Sequence, residues 1–330
     1  MRQLGVIVVV AWATVLALGA ERAEAKKKPP ACAQHPRVLE TFVSGVDIPE
    51  SVTTDEAGNL FVSNANTVLR RPPGGDFSLY ATLPLPIFAL GLKVGPDGCL
   101  YNASTSLSDV PGAFVWRICA ANTVEVFAEL DHAGTPNDLA FDDDGNLFVT
   151  DPRLGRIWKL DTDGDATVFA DHELLDGDPA DPALLFAPFG ANGIAIDKHD
   201  RYLYVSNTDQ GSILRLSLRA SAPVVPSVFV ESDLLRGADG IAFDRGQKLF
   251  VNVNATDTLI AVGPSGHLDV IAQGAPLDSP SSVVFGATHA DRHTLYLVSS
   301  AFSRTLGLRP GTPAPALLTI DVATPGLPLP

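Results

Sequence analysis

The chain has 330 residues, of which 46% are hydrophobic and 18% charged, enough apolar material for a core and too much for a disordered chain. With 38 acidic against 23 basic residues its formal net charge is −15. That argues against nucleic acid as a partner, because phosphate binding needs a basic face.

In chain order the first element is a targeting signal. Arg2 precedes an almost wholly apolar run from Leu4 to Ala20, and Ala23-Glu24-Ala25 puts small residues where a signal peptidase reads. The expectation is a signal peptide over 1–25 that sends the mature chain outside the cell or into a periplasm. Retention as an anchor is the alternative, since the run approaches spanning length. Lys26-Lys27-Lys28 reads as a solvated tail, and no later segment has the length and apolarity of a membrane span. Export implies an oxidising compartment. Cys32, Cys99 and Cys119 make an odd set without a CxxC pair, which disfavours a thiolate zinc site.

One phrase then recurs six times: a small residue or Pro, a polar residue, apolar residues, an acidic turn, and an aromatic-aliphatic strand. Pro49-Glu50-Ser51-Val52 leads to Leu60-Phe61-Val62, and Ala89-Leu90-Gly91-Leu92 to Cys99-Leu100-Tyr101. Pro136-Asn137-Asp138-Leu139 leads to Leu147-Phe148-Val149, and Ala191-Asn192-Gly193-Ile194 to Leu203-Tyr204-Val205. Ala238-Asp239-Gly240-Ile241 leads to Leu249-Phe250-Val251, and Pro280-Ser281-Ser282-Val283 to Leu295-Tyr296-Leu297. Each phrase reads as a hairpin followed by two more strands, such as Arg156 to Leu160 and Thr167 to Ala170. Four strands per repeat make a propeller blade.

The prediction is therefore an all-β, six-bladed β-propeller with four antiparallel strands per blade, in one domain over 26–330. Its blades span about 50–83, 88–130, 136–171, 189–231, 237–273 and 280–322. The sixth repeat is one strand short, so residues 37–44 are expected to supply its outer strand, closing the ring and covering an edge. Cys99 and Cys119 fall at one end of adjacent antiparallel strands, which allows a disulfide; two buried thiols are the alternative.

In a propeller the first strand of each blade lines the central channel. The aligned position reads Glu50, Leu90, Asn137, Asn192, Asp239 and Ser281. Asn and Asp are poor strand residues, so four acids or amides at one register point to a site rather than to turn preference. Two crowded carboxylates would repel, and a divalent cation removes that penalty. Two anionic and two neutral oxygen ligands suit a hard ion, best Ca2+, with Mg2+, Mn2+ or Zn2+ as alternatives. The ring has no histidine, which disfavours zinc.

Pro49-Glu50-Ser51, Asn137-Asp138-Leu139, Asn192-Gly193-Ile194 and Asp239-Gly240-Ile241 together resemble the gluconolactonase/regucalcin (senescence marker protein) superfamily, related to diisopropylfluorophosphatases and paraoxonases. The resemblance covers the mature chain. It implies a metal held by Glu50, Asn137, Asn192 and Asp239, and hydrolysis of a lactone or related ester of small-molecule size. Asp239 would assist the attacking water and Glu50 would anchor the ion, making these two the catalytic pair. Leu90 and Ser281 depart from relatives that carry a polar residue or His there, so they become candidate substrate contacts with His132 and His172. The loops Ala103–Gly112, 171–191 and Ser299–Pro315 are long enough to wall a cavity.

Asp161-Thr162-Asp163-Gly164-Asp165 fails as a calcium loop because Ala166 and His172 stand where Gly and Glu are required, so it reads as a hairpin turn. Asn102-Ala103-Ser104 and Asn254-Ala255-Thr256 match the glycosylation pattern. A non-catalytic propeller that binds a ligand or partner protein with a structural metal is the alternative function.

Overall fold

A computed structural model of the chain describes residues 36–42, 47–106, 112–184 and 188–329. The expected signal peptide, the Lys26–Lys28 tail and Cys32 lie outside these residues.

The first strand, β1 (Arg37–Thr41), stands apart from the sheet that follows it. Blade 1 is β2 (Pro49–Thr54), β3 (Leu60–Asn64), β4 (Thr67–Arg71) and β5 (Ser78–Thr82). Blade 2 is β6 (Ile87–Val94), β7 (Leu100–Ser106), β8 (Ala113–Ala120) and β9 (Thr123–Glu129). Blade 3 is β10 (Leu139–Phe141), β11 (Leu147–Asp151), β12 (Arg156–Leu160) and β13 (Ala166–Asp171). Blade 4 is β14 (Ala191–Ile196), β15 (Tyr202–Asn207), β16 (Ser212–Ser217) and β17 (Ser227–Glu231). Blade 5 is β18 (Ala238–Phe243), β19 (Leu249–Val253), β20 (Thr258–Val262) and β21 (Leu268–Gln273). Blade 6 is β22 (Pro280–Phe285), β23 (Thr294–Ser299) and β24 (Ala316–Asp321), with β1 antiparallel to β24 as its outer strand. The six-bladed propeller and its N-terminal closure are thus as the repeats predicted. Each innermost strand touches those of both neighbouring blades, so the ring is complete.

The hairpin turns follow from local chemistry. In Asp142-Asp143-Asp144-Gly145, Asp142 Oδ1 accepts the N–H groups of Asp144 (3.1 Å) and Asn146 (2.7 Å) while Gly145 takes φ 81°. Asp161–Asp165 is likewise a turn, between β12 and β13.

The apolar core lies between the blades rather than on the axis. Six clusters occupy the six blade-to-blade interfaces. At three of them an aromatic of one second strand meets a Phe of the next first strand edge-on: Tyr101–Phe141, Tyr204–Phe243 and Phe250–Phe285. Burying each such ring stabilises the interface by about 1.5–3 kcal/mol. Packing is satisfied between blades, which leaves the axis free to be polar. Cys99 and Cys119 are joined by a disulfide that ties β8 to the turn before β7. Both glycosylation-type asparagines are buried, Asn102 at 0% and Asn254 at 4% exposure, so neither offers an acceptor in the folded state. No helix among the described residues is long and apolar enough to cross a membrane.

Candidate metal centre

A β-bulge creates the ring at the start of the inner strands. Pro49 pairs with Asn64, but the next pair is Val52 with Val62, so one extra residue is inserted at Glu50-Ser51. The same shift falls at Leu90-Gly91, Asn192-Gly193 and Asp239-Gly240, and between Pro280 and Ser282 in blade 6. A bulge bends its strand and re-aims the inserted side chain. Blade 3 reaches the same result without one: β10 starts late, and Asn137 N donates to Thr150 O (2.8 Å).

The bulges need close backbone approach. A Cβ on Gly91 would sit 2.1 Å from Asn137 O, and one on Gly193 would sit 2.2 Å from Asp239 O. Glycine after the ring residue is therefore a packing requirement. A hydroxyl on the second strand then brackets successive ring residues. Ser63 Oγ accepts from Ser51 N (2.9 Å) and donates to Leu90 O (2.7 Å). Thr150 Oγ1 accepts from Asp138 N (3.0 Å) and donates to Asn192 O (2.5 Å). Ser206 Oγ accepts from Gly193 N (2.8 Å) and donates to Asp239 O (2.8 Å). Blades 1, 3 and 4 thus fix the backbone of the next blade's ring residue.

The electrostatics are unbalanced. Glu50, Asn137, Asp138, Asp239 and Ser281 line a cavity of ≈ 10 Å³, room for about one water or ion. Burial pushes the Glu50 carboxyl up to about 7, with the charge of Asp138 adding to it. Asp239 is raised well above the usual carboxylate range by burial, then by the charges of Glu50 and Asp138. Burial also raises Asp138, which Lys93 only partly offsets. Three carboxylates, Asp239 buried and Glu50 and Asp138 half-buried, line one cavity where one lysine opposes them, an arrangement that costs stability unless a cation offsets it.

The amides fit the same demand. Asn192 is 1% exposed; its Nδ2 donates to Thr208 Oγ1 (3.0 Å), whose own proton goes to Ala238 O (2.8 Å). The amide orientation is therefore fixed, and Oδ1 is left buried with no hydrogen-bond partner. An orphaned buried acceptor costs about 1–3 kcal/mol unless something binds it. Glu50, Asn137 and Asp239 line the cavity and can hold a hard divalent ion through oxygen atoms; Asn192 occupies the equivalent bulge position in blade 4 but does not line that cavity. Among the described residues, the group of three metal-type side chains whose ligand atoms lie within 4.8 Å of one another is Asp97 with Cys99 and Cys119, which is unsuitable because its sulfurs are oxidised; the three axial carboxylates stand further apart than that.

The remaining candidates are placed differently. Ser281 lines the cavity, but its hydroxyl donates to Glu50 O (2.7 Å), so it builds the ring. Leu90 occupies the bulge position and is buried, making it the apolar member of the ring, though it lies outside the ≈ 10 Å³ cavity. His132 does not line that cavity; it pairs with Glu129 (2.6 Å) and stands edge-on to Phe114. His172 does not line it either, and caps a 3₁₀ turn by accepting Leu174 N at Nδ1 (3.1 Å).

Sequence reasoning did not assign Asp138, the third carboxylate, nor the bracketing hydroxyls. A signal for the latter was present: Ser63, Thr150 and Ser206 each stand two residues after the aromatic of the second strand.

Fold and site define a six-bladed propeller with an acidic, amide-bearing ring at one end of its axis. Residues 91–301 match the family described as "SMP-30/Gluconolactonase/LRE-like region", and the chain belongs to that family. A calcium-binding protein, regucalcin, from Agrobacterium tumefaciens superposes with a TM-score of 0.65 at 16% identity, over 89% of this chain and 97% of that one. A gluconolactonase from Xanthomonas campestris gives 0.61 at 19%, over 90% and 95%. A luciferin-regenerating enzyme gives 0.64 at 14%, over 89% and 98%. At these identities the likeness is one of fold. No curated protein matches the sequence.

Proposed function

We propose that this chain is an exported, divalent-cation-dependent hydrolase of lactones or related esters. The observation that carries the reading is a set of three carboxylates, Asp239 buried and Glu50 and Asp138 half-buried, that line a one-ion cavity at the start of the inner strands. Membership of the family and the gluconolactonase among the similar folds support hydrolysis as the chemistry.

Glu50 supplies the anchoring negative charge, while Asn137 and Asn192 contribute neutral carbonyl oxygens that hold position without adding repulsion. A bound cation, for which Ca2+ is the expected ion, supplies Lewis acidity toward an ester carbonyl and stabilises the negative charge that develops there. Asp239 would hold the attacking water and accept its proton at the carboxylate. Leu90 gives the ring an apolar side for the hydrocarbon part of a substrate. Export is supported by the Cys99–Cys119 disulfide, since such bonds persist in oxidising compartments.

The test is to strip the protein with a chelator and titrate Ca2+, Mn2+, Mg2+ and Zn2+. Aldono-, γ- and δ-lactones, aryl esters and phosphotriesters are then assayed with each ion. Metal-dependent turnover of a lactone or ester is expected. Cation binding without turnover of any substrate would favour a binding module, and no cation binding would overturn the reading.

A further inference from the structure

Behind Asp239, in the corner between blades 5 and 6, stands a second polar cluster. After β19 the chain makes one 3₁₀ turn, Asn254–Thr256, and Asn254 is 4% exposed. Its Nδ2 is forked between Asp239 Oδ2 (3.4 Å) and Ser279 O (3.5 Å). Its Oδ1 is buried and has no partner. Among the described residues no other side chain donates to the Asp239 carboxylate.

The backbone of Asn254 is held from the far side. Arg309 Nη1 reaches Asn254 O (3.4 Å) and Asp257 Oδ1 (2.9 Å), while its Nη2 reaches Asp257 Oδ2 (2.8 Å). Arg304 adds Nη2 to the same carboxylate (3.0 Å) and pairs through Nη1 with Asp278. Asp278 Oδ2 also accepts Ala314 N (2.9 Å). The segment joining β23 to β24 is thus fastened at the ring end of the molecule by two arginines on two buried aspartates.

Backbone strain gathers in the same corner. Asp257 (φ 51°), Ser279 (φ 48°) and Ala301 (φ 54°) are all left-handed without being glycine. They are tied together: Ser279 N donates to Asp257 Oδ1 (2.8 Å), and Ala301 N to Asp278 O (2.9 Å). Such residues are strained and persist only where their surroundings over-determine them. Here what the surroundings fix is the turn that presents Asn254 to Asp239.

We propose that Asn254 is a positioning residue of the cation ring, and that Arg309 acts through it by fixing its peptide. An Asp239 carboxylate flanked by Glu50 and Asp138 would swing away from their charges; the Asn254 amide holds one oxygen and leaves the other for the ion. The inference rests on the ring being a cation site. A group behind a metal ligand typically carries a 10–100-fold share of metal affinity.

The experiment is calorimetric titration of Ca2+ into chelator-stripped wild type, Asn254→Ala, Arg309→Met and Arg309→Lys, with the melting temperature of each stripped protein. Asn254→Ala is expected to weaken binding by about 10–100-fold, with a melting temperature close to wild type. Arg309→Met is expected to weaken it less, and Arg309→Lys to recover part of that loss. If wild type binds Ca2+ and Asn254→Ala binds equally well, this inference falls while the cation reading stands. If wild type binds no divalent ion, both fall. Should Asn254→Ala fail to fold, Arg309→Met decides: unchanged affinity overturns the coupling.

Discussion

The axis and the corner between blades 5 and 6 both bury acidic groups, yet they treat them in opposite ways. At the axis Glu50, Asp138 and Asp239 face one another with Lys93 as the opposing charge, and all three carboxyls are raised. In the corner Asp257 and Asp278 meet Arg304 and Arg309. Burial alone would raise Asp257, but the Arg309 hydrogen bonds, the Ser279 N–H and Arg304 outweigh it and hold its carboxyl below the usual value. The corner carries its counter-charges on its own arginines, whereas the axis sets one lysine against three carboxylates. That contrast is what the proposed cation would answer.

Charge removal at the axis should have the largest effect on function. Glu50→Gln and Asp239→Asn are each expected to weaken cation binding by on the order of 100-fold or more and to abolish metal-dependent hydrolysis. Full retention of both properties in both variants would sink the assignment.

The same type of substitution should change stability with opposite signs in the two regions. Asp257→Asn leaves two partly buried arginines with one aspartate and should cost about 3–5 kcal/mol in urea unfolding. Glu50→Gln removes an uncompensated charge, so the stripped protein should gain about 1 kcal/mol at neutral pH. Losses of equal size at both positions would erase the distinction drawn above.

Acid titration sharpens it further. The carboxyl of Asp257 is lowered from 3.8 in the folded state, so its contribution is fully present above that value and lost as pH falls through the folded pKa. Wild type should therefore lose stability below about pH 4, and Asp257→Asn should lack that part of the acid limb.

The smallest expected effect concerns Leu90. Leu90→Asn should reduce preference for lactones with longer alkyl substituents by about fivefold in kcat/KM, equivalent to about 1 kcal/mol of lost apolar contact. An unchanged chain-length profile would remove Leu90 from the substrate surface.

The sequence by itself determined the number of blades, the order of strands, the ring positions and the closing strand. These rest on local rules: alternation along a strand, Asp and Gly at a turn, and one phrase repeated at one register. The residues 37–41 were legible as a strand because their pattern matches other outer strands, and a sheet edge asks to be covered. Tertiary structure alone decided how the ring is built and held. The bulges that aim Glu50 and Asp239 arise from inter-strand register, and the Ser63, Thr150 and Ser206 brackets cross from one blade to the next. Asp138 became the third carboxylate only when the axis closed around it. Arg309 and Asn254 are 55 residues apart in sequence, and no periodicity announces their contact. His132 and His172 looked available in sequence, but Glu129 and a 3₁₀ turn had already engaged them. Local patterns specify what each blade is; which polar groups are left without partners is set by how six blades meet.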